Sequence, residues 1–323
     1  MRLPRTAALV RWTGKGSVNE LKSSVESLGR ATRLRGRVWS SGNSVVVEGP
    51  DPLRAATAFG NMPGVSWVAV GTTFKSINEA APSAGRLARR YLTHADRFSV
   101  EGEATEGAVG ADIAGAVTSG ILDSVKGARV SQLPKVRFRA AFDGRRGVVG
   151  VEMAKGPGGV TTGTRWASCL VSGGRHSSVV AWYALLMGFR VELVHVSSTE
   201  ESMLAVARLY AEMSHRVGPG PLKLLVKEGG TIKELIDLLD SSHGEVFGGF
   251  RATGRHPPRE LSKSVKAPLY LLPEEEYVKR FEDLGLKADD SESRWASTPS
   301  KALRLRRFEG WADDVSAVLD GLQ

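Results

Sequence analysis

The residue types best suited to chemistry lie in one short loop, Cys-Leu-Val-Ser-Gly-Gly-Arg-His-Ser-Ser at positions 169–178. Glycines let a backbone approach an anion closely, N–H groups at a helix start point towards it, and serine hydroxyls add donors. A glycine pair also occurs in plain strand–helix turns. This loop, however, follows a predicted strand and precedes a predicted helix, where a parallel sheet presents its ligand crevice. We therefore expect a phosphate or pyrophosphate site there.

The loop differs from the two commonest nucleotide fingerprints. No Gly-Lys-Ser or Gly-Lys-Thr follows it, so it is not a Walker loop, and the Gly-x-Gly-x-x-Gly pattern is absent. The chain has one cysteine, Cys169, which excludes a disulfide framework, a zinc site built from several thiolates and an intramolecular CxxC pair. We expect Cys169 to be a small buried strand residue rather than a catalytic thiol.

Positive charge is concentrated in the first half of the chain. The net charge is +9, from 44 basic and 35 acidic residues. Residues 1–170 hold 24 Lys/Arg and 13 Asp/Glu, whereas residues 171–323 hold 20 and 22. This asymmetry favours a nucleic-acid-binding half joined to a near-neutral half, although a basic soluble surface would give the same counts. The expected RNA contacts are Arg86, Arg89, Arg90, Lys135, Arg137 and Arg139.

Hydrophobic periodicity predicts α+β architecture before residue 156. The order strand–helix–hairpin–helix–strand fits a small ferredoxin-like module. Its elements are Ala7–Trp12, Val18–Leu28, the hairpin Arg37–Glu48, Pro52–Phe59 and Val65–Val70. A second basic α/β unit follows at 73–155, with a hairpin turn at Asp143-Gly144. Residues 156–159, Gly-Pro-Gly-Gly, indicate a linker.

Beyond this linker, strands and helices alternate, which predicts a parallel sheet with helices on both faces. The predicted strands are Ala167–Val171, Arg190–Val196, Leu222–Lys227, Glu245–Phe250 and Pro268–Leu272. The predicted helices include Ser177–Met187 and Thr199–His215. No apolar run approaches the ~18–20 residues that span a bilayer. We expect no membrane contact and a cytoplasmic, reducing location.

The loop Ser172-Gly173-Gly174-x-His176-Ser177 resembles the SGGxDS pyrophosphate loop of ATP-pyrophosphatases. The surrounding sequence resembles the tRNA sulfurtransferases, the 4-thiouridine synthetases that are also linked to thiamine thiazole synthesis. Three further stretches are similar to that family's GxGGLPxG run, its His-Phe strand end and its LVRYGEIxLKGKN opening. They are Gly156 to Val160 followed by Gly163, then His195-Val196, and Leu9 to Trp12 with Gly14-Lys15-Gly16.

The resemblance implies an α/β protein of three parts. These are a ferredoxin-like domain at 1–72, a THUMP RNA-binding domain at 73–155 and a PP-loop domain at 161–323, of the adenine nucleotide α-hydrolase-like, ATP-pyrophosphatase type. In that family, ATP with magnesium adenylates a uridine of tRNA, and a cysteine-borne sulfur then displaces AMP. By position, the residues implied to bind the nucleotide are Leu170, Val171, Ser172, Gly173, Gly174, Ser177, His195, Val196 and Gly249. His195 is equally compatible with a structural role at the sheet edge.

The sequence departs from the family at three points. His176 stands where the family has an aspartate suited to magnesium, and Phe250 where it has a glutamate. No cysteine follows Cys169 to carry sulfur. No catalytic residue and no metal site are assigned on this basis. Two interpretations stay open, both with tRNA as partner: a sulfurtransferase-type enzyme that takes sulfur from a separate donor protein, or a non-catalytic RNA-binding protein with a PP-loop scaffold. A homodimer is a further open alternative.

Overall fold

The computed structural model describes residues 5–34, 36–49, 51–104, 110–172, 174–197, 200–218, 220–228, 239, 244–249, 265–269, 271–283 and 305–308. The chain divides into two compact units, Met1–Thr161 and Thr162–Gln323. Each unit is built on its own sheet.

The described residues of the first unit form eight strands in a single sheet. They are β1 Thr6–Trp12, β2 Arg37–Ser41, β3 Ser44–Glu48, β4 Val65–Phe74, β5 Arg97–Ala104, β6 Arg129–Val130, β7 Val136–Phe142 and β8 Gly147–Gly158. Their order across the sheet is β2-β3-β1-β4-β8-β7-β5-β6. Strand β5 is parallel to both β7 and β6, and the other pairs are antiparallel.

Within the described part of this unit, four helices accompany the sheet: α1 Val18–Ala31, α2 Pro52–Gly60, α3 Ile77–Tyr91 and α4 Gly110–Ser124. Helix α2 begins at Pro52, which suits the first turn of a helix. The preceding Asp51 caps it, because its carboxylate accepts hydrogen bonds from the N–H groups of Leu53 and Arg54, both at 3.1 Å. Helices α3 and α4 share an apolar core with strands β5 and β7, in which Phe98 and Phe138 meet edge to face at 6.1 Å.

The predicted elements of this unit are present, with one correction at the linker. The hairpins around Gly42 and around Asp143-Gly144 form as expected. Strand β8, however, continues through the Gly-Pro-Gly-Gly segment to Gly158 and pairs with Val65 of β4. Gly156 permits this pairing because a Cβ there would collide with the Val65 carbonyl. The segment predicted as a linker is therefore largely strand.

The predicted boundary at residues 72 and 73 falls inside β4. This strand pairs with β1 on one edge and with β8 on the other, so the predicted ferredoxin-like and THUMP domains share one continuous sheet. The division into three domains stays a prediction.

Among its described residues, the second unit contains six strands: β9 Trp166–Leu170, β10 Arg190–Ser197, β11 Leu222–Glu228, β12 Glu245–Gly248, β13 Val265–Lys266 and β14 Leu305–Phe308. Their order is β13-β12-β9-β10-β11-β14. Pairing is parallel throughout except between β11 and β14. The described part of this unit also contains the helices α5 Arg175–Leu186, α6 Glu200–Val217 and α7 Glu274–Asp283.

Both faces of this sheet are buried, as expected of parallel strands. Successive residues of β9 illustrate the alternation, since Cys169 joins the core containing Trp182 and Tyr210, whereas Leu170 joins the cluster on the opposite face with Leu225. The predicted strand Pro268–Leu272 is wrong: the short strand lies earlier, at Val265–Lys266. The N–H of Leu272 instead donates to the carbonyl of Leu269 in a turn, at 3.0 Å.

Within the described part of the chain, no helix is both long enough and apolar enough to cross a membrane.

Candidate functional site

The predicted loop lies at a topological switch point of the second sheet. Strand β9 is flanked by β10 on one side and β12 on the other, and all three are parallel. After β9 the chain forms β10 on one side of β9, and it later returns to form β12 on the other side. Such a reversal opens a crevice beyond the carboxyl ends of the strands, and open α/β sheets bind their ligands there.

Two serine hydroxyls hold the loop in shape. The Ser177 hydroxyl donates to the Gly174 carbonyl at 3.1 Å and accepts the N–H of Ser172 at 3.1 Å. The Ser172 hydroxyl lies 3.3 Å from that of Ser177 and accepts the N–H of Gly174 at 3.4 Å. Helix α5 follows directly, and its N-cap Gly174 makes no side-chain capping bond. The positive end of the α5 dipole therefore lies at this loop, a geometry that favours an anion.

Gly249, which follows β12, packs against the first turn of α5. A Cβ built on Gly249 would lie 2.6 Å from the backbone nitrogen of Ser177 and 2.7 Å from the carbonyl carbon of His176. No larger residue fits there without moving the helix. The structure thus brings Gly249 together with Ser172, Gly174 and Ser177, as the resemblance implies.

The other predicted nucleotide residues form the wall beside the loop. Leu170 and Val171 are buried, and the Val171 N–H donates to the Val194 carbonyl at 2.9 Å. The Nδ1 atom of His195 lies 2.8 Å from the Val171 carbonyl and must donate to it, so Nε2 accepts from the Ser202 hydroxyl at 3.3 Å. Burial lowers the pKa of His195, and the bond to Val171 opposes this shift. The His195 ring is thus neutral and connects Val171 to Ser202 through its two hydrogen bonds. Val196, the next residue, is half-buried.

Gly173 and Phe250 lie outside the described residues. The other predicted residues of the loop lie at one edge of the sheet. Their role in nucleotide binding stays a prediction.

Cys169 is a core residue. Its side chain is fully buried on β9, facing helix α5 rather than the loop, and burial raises the pKa of its thiol well above the usual range. The thiol is therefore uncharged and out of reach of a substrate.

The donor set at the loop does not fit a magnesium ion. This ion requires hard oxygen ligands, above all carboxylates, and the first turn of α5 contains no acidic residue. His176 stands in that turn, half-buried, and imidazole is a poor ligand for magnesium. Within the described ranges, no group of three or more His, Cys, Asp or Glu side chains is placed to hold a metal.

The predicted RNA contacts of the first unit lie on two elements. Arg86, Arg89 and Arg90 are exposed on α3, with Arg86 donating to the Ser83 hydroxyl at 3.0 Å. Lys135 is exposed just before β7 and forms an ion pair with Asp96 at 2.9 Å. The N–H of Thr93 and this ammonium lower the pKa of Asp96 to about 2, so the pair is charged at neutral pH.

Arg139 is not available for RNA. Its side chain is buried, forms ion pairs with Glu101 and Glu152, and stacks on Trp67 at 4.7 Å. Its neighbour on the same face of β7, Arg137, has a side chain that is 43% exposed and lies 3.9 Å from Glu152. Two residues apart on one strand, the two arginines share a face of β7, but Arg139 is buried there and Arg137 is exposed.

Two further cations belong to this surface and were missed in the sequence. Arg97 begins β5 and pairs in register with Arg129 of β6, while the N–H of Lys135 donates to the Arg97 carbonyl at 2.8 Å. Both arginines are exposed. Helix α3 ends at Tyr91, and the turn that follows it leads to Asp96, whose carbonyl accepts the N–H of Arg129 at 3.0 Å. We call this surface the basic end: Arg89, Arg90, Arg97, Arg129, Lys135 and Arg137.

Comparison with known proteins adds a likeness at the level of structure. No protein-family model matches the chain, and no curated protein matches its sequence. Among solved structures, PH1313 from Pyrococcus horikoshii has 18% identity and a TM-score of 0.68, covering 87% of this chain and all of its own. A 4-thiouridine synthetase, in complex with RNA and with bound ATP, has 16% identity and a TM-score of 0.67, covering 87% of this chain and 85% of its own.

This likeness shows the fold. The predicted fold class, α/β with a ferredoxin-like and THUMP-like first part and a PP-loop-like parallel sheet, is confirmed over most of the chain. At such low identity, the likeness assigns no activity to this chain.

Proposed function

We propose that this protein binds a tRNA through the basic end of its first unit and an adenine nucleotide at the β9–α5 loop of its second. Its role would then lie in tRNA modification of the thiolation type, carried out in the cytoplasm. The observation that carries the proposal is the shared fold: the match to a synthetase crystallised with RNA and ATP covers 87% of this chain and so extends over residues of both units.

The charges of the first unit support the RNA half of the proposal. The basic end holds six exposed cations, of which Lys135 pairs with Asp96 and Arg137 lies 3.9 Å from Glu152. Exposed Val130 and Leu133 lie between Arg129 and Lys135 and add apolar surface. A basic surface of this kind suits a phosphate backbone.

Sulfur would have to come from a separate protein. The chain's single cysteine, Cys169, is buried with an uncharged thiol, so it cannot act as the carrier. Assembly as a homodimer is part of the same proposal and is tested by light scattering.

A second candidate is an RNA-binding protein whose second unit is a scaffold. The observation that favours it is His176, because the aspartate of related loops is missing at that position. In this case tRNA binding would persist without any nucleotide binding.

The RNA half is tested with a double variant, Arg97→Ala with Arg129→Ala, in fluorescence anisotropy titrations of labelled tRNA. Removing two phosphate contacts should weaken binding and lower the slope of log K against log salt by about 1.5. The control is Arg30→Ala with Arg208→Ala, which removes the same charge from exposed positions on α1 and α6. Equal slopes for the two double variants would remove the basic end from the RNA-binding surface.

A further inference from the structure

We infer that the RNA also contacts a second group of arginines, at the end of the first sheet opposite to the basic end. This inference rests on the proposed tRNA binding and adds a second contact surface to it. We call this surface the Glu48 cluster, after the carboxylate at its centre: Arg5, Arg37, Glu48, Arg145 and Arg146.

Separate parts of the chain converge on Glu48. Arg5 directly precedes β1 and Arg146 directly precedes β8, and their guanidinium groups lie 3.8 Å and 3.7 Å from the Glu48 carboxylate. Arg37 begins β2 and lies in register with Glu48 of β3. Strands β3 and β8 are three positions apart in the sheet order, which is about 14 Å in a flat sheet. The sheet therefore curls to bring Arg146 to this carboxylate.

The acidic partners of the cluster do not balance its positive charge. Glu48, with a side chain that is 11% exposed, also accepts the indole N–H of Trp39 at 3.0 Å. Asp143 lies 3.2 Å from the guanidinium of Arg146 and accepts the backbone N–H of Arg145 at 2.9 Å. In these contacts four arginines face two carboxylates. The surplus of positive charge favours an anion, and a phosphate backbone supplies anions in a row.

The arginines of the cluster are presented to solvent around one fixed member. The guanidinium of Arg146 stacks over the Trp39 ring at 4.2 Å, which holds its plane in place. Arg5 has a side chain that is 63% exposed, and Arg37 and Arg145 are exposed as well. Guanidinium groups bind phosphate oxygens through paired N–H donors. The cluster thus offers three exposed arginines beside one that is already ordered.

The Glu48 cluster and the basic end share one face of the sheet. Residues two apart on a strand lie on the same face, so Arg137 shares its face with Ala141, which lies in register with Val148. Arg146, two residues before Val148, lies on this face too. Helices α3 and α4 pack against the opposite face, with Phe138. Strand β7 has seven residues and spans about 20 Å, a distance that one tRNA can bridge.

The inference is tested with the double variant Arg37→Ala with Arg145→Ala, in fluorescence anisotropy titrations of labelled tRNA over a range of salt concentrations. Removing two phosphate contacts should weaken binding and lower the slope of log K against log salt by about 1.5. The control is again Arg30→Ala with Arg208→Ala, at exposed positions on α1 and α6. A slope equal to that of the unmodified chain would overturn the inference and leave the proposed tRNA binding intact. Failure of the unmodified chain to bind tRNA would overturn both.

A combined variant tests whether one RNA contacts both ends. When Arg37→Ala and Arg145→Ala are added to Arg97→Ala and Arg129→Ala, the slope should fall by about 3 in total, because the same RNA loses four phosphate contacts. A loss no greater than that of the Arg97→Ala and Arg129→Ala variant would contradict the inference.

Removing the central carboxylate should have the opposite effect. Glu48→Gln keeps an acceptor for the Trp39 N–H and removes the negative charge, so it frees Arg5 and Arg146 for phosphate. We expect tRNA to bind about threefold more tightly to this variant, whereas a purely structural role of Glu48 predicts no gain. Thermal melts establish that the variant is folded. Unchanged or weaker binding by folded Glu48→Gln would contradict the inference.

Discussion

Arg137 and Arg139 show how far the role of a residue depends on its burial. Both side chains lie on the same face of β7, and both look like RNA contacts in the sequence. The structure pairs Arg139 with Glu152, whose side chain is 9% exposed, and leaves Arg137 at the rim. A buried charge left without its partner is costly, so the two arginines should respond differently to truncation.

We predict that Arg139→Ala lowers the free energy of unfolding by about 3 kcal/mol, because it leaves the buried Glu152 carboxylate without its main partner. Arg137→Ala should change it by less than about 1 kcal/mol, because the Arg137 side chain is 43% exposed, lies 3.9 Å from Glu152 and leaves that carboxylate paired with Arg139. The free energies of unfolding of the two variants are measured by urea unfolding monitored by tryptophan fluorescence. A stable Arg139→Ala variant with weakened tRNA binding would show that Arg139 contacts RNA after all.

At the level of elements, the nucleotide loop is shaped by a strand that is distant in sequence. Gly249 follows β12 and packs on the first turn of α5, so the α5 start is fixed from both β9 and β12. Backbone contact at this distance requires glycine, since any Cβ would meet the helix backbone.

Gly249→Ala should destabilise the second unit by roughly 1–3 kcal/mol and abolish ATP binding, because the Cβ displaces the start of α5. Gly174→Ala is the matched control. Gly174 has a φ of −78°, and a Cβ there would meet nothing closer than the Ser172 hydroxyl at 3.4 Å. The free energy of unfolding of the Gly174→Ala variant should stay within about 0.5 kcal/mol of that of the unmodified chain. Equal stability of the two variants in urea would contradict the packing described for Gly249.

The elements that could be predicted from sequence are those whose signals are local. The hairpin at Asp143-Gly144, the amphipathic helix α1 and the strand–loop–helix at residues 166–186 follow from turn residues and periodicity. The contacts that could not be predicted are long-range. The pairing of β4 with β8 unites two predicted domains in one sheet, and the parallel register of β5 and β6 places Arg97 beside Arg129. Periodicity identifies a face but not the strand that lies next to it.

At the scale of the whole molecule, the two units differ in charge and in fold. The excess of positive charge lies in the first 170 residues, and the remainder is slightly acidic. In the proposed function, the unit with the basic end would attract RNA, while the second unit offers a loop at a switch point with Arg175 and His176 in the first turn of the helix that follows. One chain carries both features, and we propose that it binds tRNA and ATP at the same time.

The most direct measurement is a calorimetric titration of ATP into the full-length protein already saturated with tRNA. We expect ATP to bind to the complex at one site per chain, and we expect no heat of ATP binding from the Gly249→Ala variant while it is still bound to tRNA. Tight tRNA binding with no heat of ATP binding in the unmodified chain would contradict the proposed nucleotide site and would make the protein an RNA-binding protein whose second unit is a scaffold.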